Sequence, residues 1–280
     1  MNAAPDETVA GWRARLELGF QADDTRTRLA HRLHHGPLMV QRAFYPEGPV
    51  CHVYVIHPPG GVVSGDELSL QVQLTPRAHA VLTTPAAGKF YRRHGLRTAR
   101  FTQSLVIDGA TLEWLPQENI YYPDANAVLA TRVQLHGDAR FLGWEIGCFG
   151  LPARGLGLAD GCIQTRLELW RDEQPLLLER ALIDREMVQA RWGLAGRSAF
   201  GTLLAHPAGI LSLEQARSVV ESLGGDPELL LACTLIDNTL CCRGYAARAD
   251  RLKYAFTEIW SRLRMGLLGR AAMPPRIWKT

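Results

Sequence analysis

No stretch of 18 consecutive apolar residues occurs in the 280-residue chain, so no segment is long enough to cross a bilayer as a helix. Strong charge of one sign is missing too. A net charge of +3 at pH 7 is too weak a field to recruit nucleic acid or an anionic membrane. The first residues carry Asp6 and Glu7 and no apolar signal-peptide stretch, and the chain reads as cytoplasmic. The six cysteines include no C-x-x-C pair and no zinc-knuckle spacing. They read as small buried hydrophobes of a reducing compartment.

Catalytic signatures are also absent. Gly61-Val-Val-Ser64-Gly65 has the wrong spacing for a nucleophile elbow. Gly88-Lys89-Phe90 lacks the first glycine and the hydroxyl residue of a phosphate-binding loop. No glycine-rich dinucleotide fingerprint opens a helix, and no H-E-x-x-H occurs. Nine histidines are present without the fixed spacing of a tight metal site, so each reads as a surface or hydrogen-bonded group. A weak site of carboxylates, water and imidazole leaves no spacing signature.

What the chain has in quantity is strand. Leu68 to Leu74 alternates apolar and polar residues as a half-buried strand does, and Cys51 to Ile56 is rich in β-formers. Phe101–Ile107, Thr111–Leu115, Val128–Leu135, Phe141–Ile146, Ile163–Trp170 and Leu176–Ile183 read the same way. Turn signals separate them at Asp108-Gly109, Tyr122-Pro-Asp124, His136-Gly-Asp138, Asp160-Gly161 and Asp172–Pro175. The expectation is a mainly β fold of stacked or wrapped sheets, in one domain from residue 12 to 280 behind a flexible lead of residues 1–11. No repeat of fixed period is present to define a regular solenoid motif.

The last third changes character. Ser212-Leu-Glu-Gln215 predicts a capping box with Ser212 as N-cap, opening a helix that Gly224-Gly225 stops. Leu229–Ile236 and Thr239–Tyr245 predict a hairpin around Asp237-Asn238. Residues 247–268 predict the longest helix. Leu252, Phe256, Ile259, Leu263 and Leu267 form its apolar stripe, and Gly269 is its stop. The tail Pro274-Pro275-Arg276-Ile277-Trp278 is expected to dock through its tryptophan.

One segment stands apart. His57-Pro-Pro-Gly-Gly-Val-Val-Ser-Gly-Asp66 leaves a strand, runs through two prolines and three glycines, and ends on a carboxylate. Proline fixes φ and glycine supplies positive φ, so this is a shaped loop. Three readings stay open for it: a catalytic site, a metal path or a tight turn. A catalytic reading makes His57 or Asp66 the general base of a hydrolase or lyase. A structural reading makes Asp66 an Asx cap of its own turn. Acids in apolar segments are further candidates: Glu113, Glu118, Glu145 and Glu168. An ionised carboxylate is not buried without a partner, so each faces solvent, an arginine or a wet interior. The solvated face is the plainer reading of Glu113 and Glu168. Lys89-Phe-Tyr-Arg-Arg-His94 is basic and aromatic. With no second such cluster it reads as a protein-contact patch formed by Lys89, Tyr91, Arg92 and Arg93.

Taken in order, these segments resemble the UreD (UreH) family of urease accessory proteins. The likeness runs from Gly36-Pro-Leu-Met-Val-Gln-Arg42 and Phe44-Tyr-Pro46 through Cys51-His52 and the His57–Asp66 loop. It continues with Thr83-Thr-Pro85, Lys89-Phe-Tyr-Arg92, Leu112-Glu-Trp-Leu-Pro-Gln-Glu118, Trp144-Glu-Ile146, Arg166-Leu-Glu-Leu-Trp170 and Gly201-Thr-Leu-Leu204. It ends on Leu268-Gly-Arg270 and Pro275-Arg-Ile-Trp278. The resemblance implies a β-solenoid-like helical stack of strands with two helices in the C-terminal region. It implies a scaffold rather than an enzyme, with apo-urease, a UreF-like protein and, through the complex, a UreG-like GTPase as partners. Nickel is implied only in transit through a water-filled interior, with no tightly bound cofactor. Asp66 is the first candidate for that path, followed by Thr84, Glu118, Glu145 and Glu168. Three departures bear on this: Ser64 where glycine is common, Ala86-Ala87-Gly88 without the usual hydroxyl, and Gly155-Leu156 in place of a Gly-Glu pair. A third possibility is an interaction module with no metal path.

Overall fold

The structure, a computed structural model, describes residues 11–224 and 226–279. Residues 1–10 of the expected lead and Gly225 of the expected helix stop lie outside the described residues. In chain order the strands before the first helix are β1 (Arg13–Ala22), β2 (Thr27–His35), β3 (Met39–Val40), β4 (Cys51–Ile56), β5 (Glu67–Leu74), β6 (His79–Thr83), β7 (Gly88–Phe90), β8 (Ala99–Asp108), β9 (Thr111–Trp114), β10 (Asn119–Tyr121), β11 (Asn126–His136), β12 (Arg140–Phe149), β13 (Cys162–Arg171) and β14 (Gln174–Ile183). There follow α1 (Arg185–Gln189), β15 (Ala199–His206), α2 (Ile210–Ser222), β16 (Leu229–Ile236), β17 (Thr239–Ala246) and α3 (Ala249–Leu268).

The chain alternates between two sheets. One has the order β14-β13-β11-β8-β5-β1-β2; the other runs β16-β17-β15-β12-β9-β6-β4-β3, with β10 bonded to β12 and β7 to β10. Between β4 and β13 each coil lays one strand in the first sheet and one or two in the second, and successive coils pair in parallel: β5 with β8, β8 with β11, β11 with β13, and β4 with β6, β6 with β9, β9 with β12. This is the β-solenoid-like stack. The edges are antiparallel additions: β2 and β14 on the first sheet, β15, β17 and β16 on the second. Leu68 sits beside Phe101, Phe101 beside Leu129 and Leu129 beside Thr165, so the coils are unequal in length. That inequality is why no fixed period appears in the sequence.

Corner chemistry follows the predicted turns. Gly109 and Gly137 take positive φ at successive corners. Asp124, Asp172 and Asp237 do the same, which the short Asx side chain tolerates.

Alternation along each strand makes three layers. Inward residues such as Leu16, Leu18, Phe20, Leu70, Val72, Leu105 and Val133 fill the space between the sheets. The other face of the second sheet, through Leu142, Trp144, Ile146 and Leu203, packs against α2 and α3. The α3 stripe is as expected for Leu252, Phe256, Ile259 and Leu263, all fully buried, and Gly269 closes the helix in the left-handed conformation. The α2 start differs from the predicted capping box. Gly209 is the N-cap, Leu213 N donates to Gly209 O, and Ser212 lies buried inside the first turn. The helix opens early because Ala208 N is already tied to Asn238 O at the tip of the β16–β17 hairpin. The tail docks: Trp278 Nε1 donates to Thr83 Oγ1 at 2.9 Å, and its ring packs on Trp144 and Trp260.

Candidate conduit between the sheets

The space between the sheets is not filled to one end. A cavity of about 280 Å³ is walled by His57, Gly60, Gly61 and Val62 of the shaped loop, Thr84–Lys89, Gln117 and Asn119, with Phe101, Gln103 and Glu145 at its floor. Glu145 also borders a second void of about 20 Å³, together with Tyr121, Glu179, Phe200 and Thr202. The carboxylate thus stands between the two.

Local sequence explains the opening at Glu145. On the inter-sheet face of β12 it is flanked by Gly143 and Gly147, where an added Cβ would meet the Phe141 and Phe149 rings at 2.7 Å. Those rings fold over the glycines and leave the acid uncovered between them. Thr131 Oγ1 donates to Glu145 Oε1 from the opposite sheet. Burial pushes the Glu145 carboxyl up to about 7; the Thr131 hydrogen bond opposes and the nearby Glu179 charge adds to the rise. Glu179 is itself held by Thr202 Oγ1 at 2.8 Å and by the Arg243 guanidinium. Two buried polar atoms in this region find no hydrogen-bond partner among the described residues, Gln103 Oε1 on the larger cavity and Tyr121 Oη on the smaller void.

The other predicted residues fall in different places. Thr84 lines the cavity, and its Oγ1 accepts from Gln117 N at 2.9 Å. Asp66 does not line it. This carboxylate is 4% exposed, with Oδ1 accepting from Trp12 N at 2.8 Å and Oδ2 from Val63 N at 2.9 Å. Both oxygens are committed to backbone, so Asp66 closes its own loop, whose Gly65 takes a φ of +87°, and anchors Trp12 at the entry to β1. His57 does face the cavity, and burial pushes its imidazole pKa down against the opposing Asp66 charge. Glu118 is absent from the lining although Gln117 and Asn119 belong to it. It lies electrostatically close to Cys148 and Lys253 on the helical side. Lys253 Nζ donates to Pro116 O at 3.1 Å and stands over the Trp144 and Trp278 rings. Glu168 points out from the first sheet, where Arg180 Nη2 and Trp170 Nε1 donate to it. It therefore sits on the far side of that sheet from the cavity.

The basic-aromatic segment also divides. Lys89 lines the inter-sheet cavity, whereas Tyr91 and Arg92 border an outer groove of about 670 Å³ with His94, Tyr122 and Arg154. Arg92 and Arg93 are exposed, and Tyr91 packs edge-on to Tyr122 at 4.8 Å.

The solvated reading of Glu113 is overturned. It is fully buried on the helical face, at the centre of a polar cluster that sequence reasoning missed. Arg264 Nε donates to Glu113 Oε2 at 2.9 Å and Nη2 to Oε1 at 3.0 Å; Trp260 Nε1 donates to Oε2 at 2.6 Å, and His79 Nε2 lies 2.8 Å from Oε1. The same guanidinium reaches both Glu47 oxygens, at 2.6 and 2.8 Å, and Glu47 meets His52 Nε2 at 2.7 Å. Burial pushes the Glu113 carboxyl up, but His79 and Arg264 outweigh it and hold it below the usual range. The available signal was Arg264 itself, a cation next to the apolar stripe of α3 and one turn after Trp260. Among the described residues, no group of three or more His, Cys, Asp and Glu side chains converges to hold a metal ion. No helix among them is long and apolar enough to cross a membrane.

The fold and cavity define a class: a two-sheet β-solenoid-like protein with a helical outer layer and a cavity between the sheets that a few polar side chains reach. The family model described as UreD urease accessory protein matches residues 13–279. The urease accessory protein UreD of Alcanivorax borkumensis is 41% identical over 276 residues, covering 96% of this chain and 93% of that protein. Its counterparts in Enterobacter sp. (strain 638) and Pseudomonas putida (strain W619) are 43% and 42% identical, covering 96% and 98% of this chain and 96% of each relative. The chain belongs to the UreD family of urease accessory proteins.

Proposed function

We propose that this protein is a non-catalytic urease maturation factor that binds apo-urease and a UreF-like partner, with a UreG-like GTPase joining through the complex, and passes nickel through its interior. Family membership supports the maturation role. The observation that carries the path is Glu145, a carboxylate bordering both inter-sheet voids with unpaired Gln103 Oε1 and Tyr121 Oη on their walls. A buried polar atom without a partner costs roughly 1–3 kcal/mol, so such groups persist where water or a passing ion meets them. The larger cavity has room for several waters at about 30 Å³ each. Nickel is cargo here. A single carboxylate with neutral oxygens holds a divalent ion weakly, and weak binding suits release.

The path reading drops Asp66, Glu118 and Glu168 and keeps Glu145 and Thr84, with His57 at the wall. A hydrolase using Asp66 as base is disfavoured, because both of its oxygens already accept backbone N–H groups. The test is coexpression of Glu145→Gln with urease and its accessory proteins, followed by pull-down and nickel analysis of the urease. Severalfold less nickel with an intact complex is expected. Full nickel loading refutes the path and leaves the scaffold role standing.

A further inference from the structure

Among the described residues β16 is the outermost strand of its sheet and pairs with β17 alone. In that antiparallel register Cys233 stands directly opposite Cys242. Directly opposed residues have Cα atoms about 4.5 or 5.5 Å apart, depending on their place in the ladder. Both values lie inside the span of about 4.4–6.8 Å that a disulfide bridges. Opposed side chains also leave the sheet on the same face. Here both join the core under α2, with Cys242 fully buried and Cys233 7% exposed. Each thiol is the largest single influence on the other's proton affinity.

The pair differs from the other buried cysteines. Burial pushes the Cys51, Cys148 and Cys241 thiols up to about 11, 12 and 11. Cys233 moves the other way: the Cys242 thiol donates to its sulfur, burial opposes, and the Arg217 guanidinium adds a favourable charge. Arg217 is fixed there by donating through Nη2 to the Cys233 carbonyl oxygen at 3.4 Å. A thiol beside a cation, with a second thiol directly opposite, is the arrangement that reacts with peroxides and then resolves.

We infer that Cys233 and Cys242 form an oxidisable dithiol, which hydrogen peroxide converts to a cross-strand disulfide beneath α2. The Cys233 sulfur attacks one peroxide oxygen and the O–O bond breaks. Cys233 becomes a sulfenic acid, and the leaving hydroxide takes a proton to give water. The Cys242 sulfur then attacks the Cys233 sulfur, the S–O bond breaks, and the second oxygen leaves as water with the Cys242 proton. In sum two thiols lose two electrons to one peroxide, giving one disulfide and two waters. A low-molecular-weight thiol reverses the change by exchange.

The test treats the full-length chain with limiting hydrogen peroxide, then denatures it, alkylates free thiols and maps the peptides by mass. Oxidised protein is expected to show four alkylated cysteines instead of six, a linked Cys233–Cys242 peptide 2 Da lighter than its thiol form, and full reversal by dithiothreitol. Cys241→Ala is expected to retain the link; Cys233→Ser and Cys242→Ser are expected to abolish it. Six alkylated thiols where a control dithiol peptide is oxidised in the same tube overturn the inference. So does a link through Cys241, or Cys233 recovered as a sulfinic acid with Cys242 still free. The wild-type peptide map decides the matter even if a serine variant does not fold.

Discussion

Arg264→Leu is the sharpest test of what holds the helical layer to the solenoid. The guanidinium is fully buried and serves two carboxylates that are themselves buried, Glu113 on β9 and Glu47 in the segment leading to β4. Removing one partner of a buried ion pair costs about 3–5 kcal/mol, because the remaining charge has neither water nor counter-ion. Here one substitution takes the guanidinium from two acids, which keep His79, Trp260 and His52 as partners, so the whole of that range applies. For a chain of this size it corresponds to a fall in unfolding temperature of roughly 6–20 °C. The pH dependence separates this cause from a loss of packing. In the parent, burial pushes the Glu47 carboxyl up, and the hydrogen bonds from His52 and Arg264 overcome it and hold the pKa down to about 2. A carboxylate depressed in the folded state contributes stability above its unfolded pKa of about 4.5, and loses it as pH falls towards 2. In Arg264→Leu both acids lose that cation, their pKa values move up, and their own protonation as pH falls relieves them. The deficit against the parent should therefore narrow between pH 8 and pH 5, read by circular dichroism melts at one scan rate. Arg264→Lys, which keeps charge without the fork, should fall between the two. A deficit below about 2 °C, or one that widens towards acid, refutes the reasoning.

Glu145→Gln should stabilise the chain at pH 8 by up to about 3 kcal/mol, an advantage that disappears near pH 4.5. The raised carboxyl costs stability progressively as pH climbs from its unfolded value towards about 7, and urea unfolding at several pH values reads this. Asp66→Ala removes the acceptor of two backbone N–H groups and should cost about 1–3 kcal/mol, with faster proteolysis in the 57–66 loop; Asp66→Asn should recover part of both. Trp278→Ala should cost about 2–3 kcal/mol through its contacts with Trp144, Trp260 and Lys253, read by the same unfolding assay.

Much of the strand layout was legible because half-buried strands alternate, as β5 and β11 do. β1 escaped although it alternates, but two of the other missed strands lack alternation. β6 is buried at four of five positions and β15 at seven of eight, so neither shows a polar face to mark its period. The short helix α1 escaped because five residues make little more than one turn, although its N-cap Asp184 accepts from Met187 N as such a start should. Within the site, Glu145 was legible as an acid in an apolar strand. Glu118 was not placed correctly, because the side to which an acid turns just after Pro116 depends on how the chain enters β10. The Glu113–Arg264 pair spans 151 residues, a closure that only the tertiary fold provides.

Glu113 and Glu145 lie on neighbouring parallel strands of one sheet, three register steps apart on β12, since Glu113 stands beside Leu142. The odd step turns them to opposite faces, and each face decides what its carboxylate can do. On the helical face Glu113 meets Arg264, Trp260 and His79, and its negative charge is fully matched. An anion so matched has no capacity left for a passing cation, and its work is to fix α3 against the sheet. On the inter-sheet face Glu145 meets one hydroxyl, a second carboxylate nearby and open space, and its proton affinity rises to about 7. Near neutral pH such a group exchanges its proton readily, and a divalent ion arriving beside it must compete with that proton. On the proposed path that competition would keep the ion's residence short, which a conduit needs and a storage site does not. The difference between a matched anchor and an open carboxylate is thus set by strand register, not by residue type.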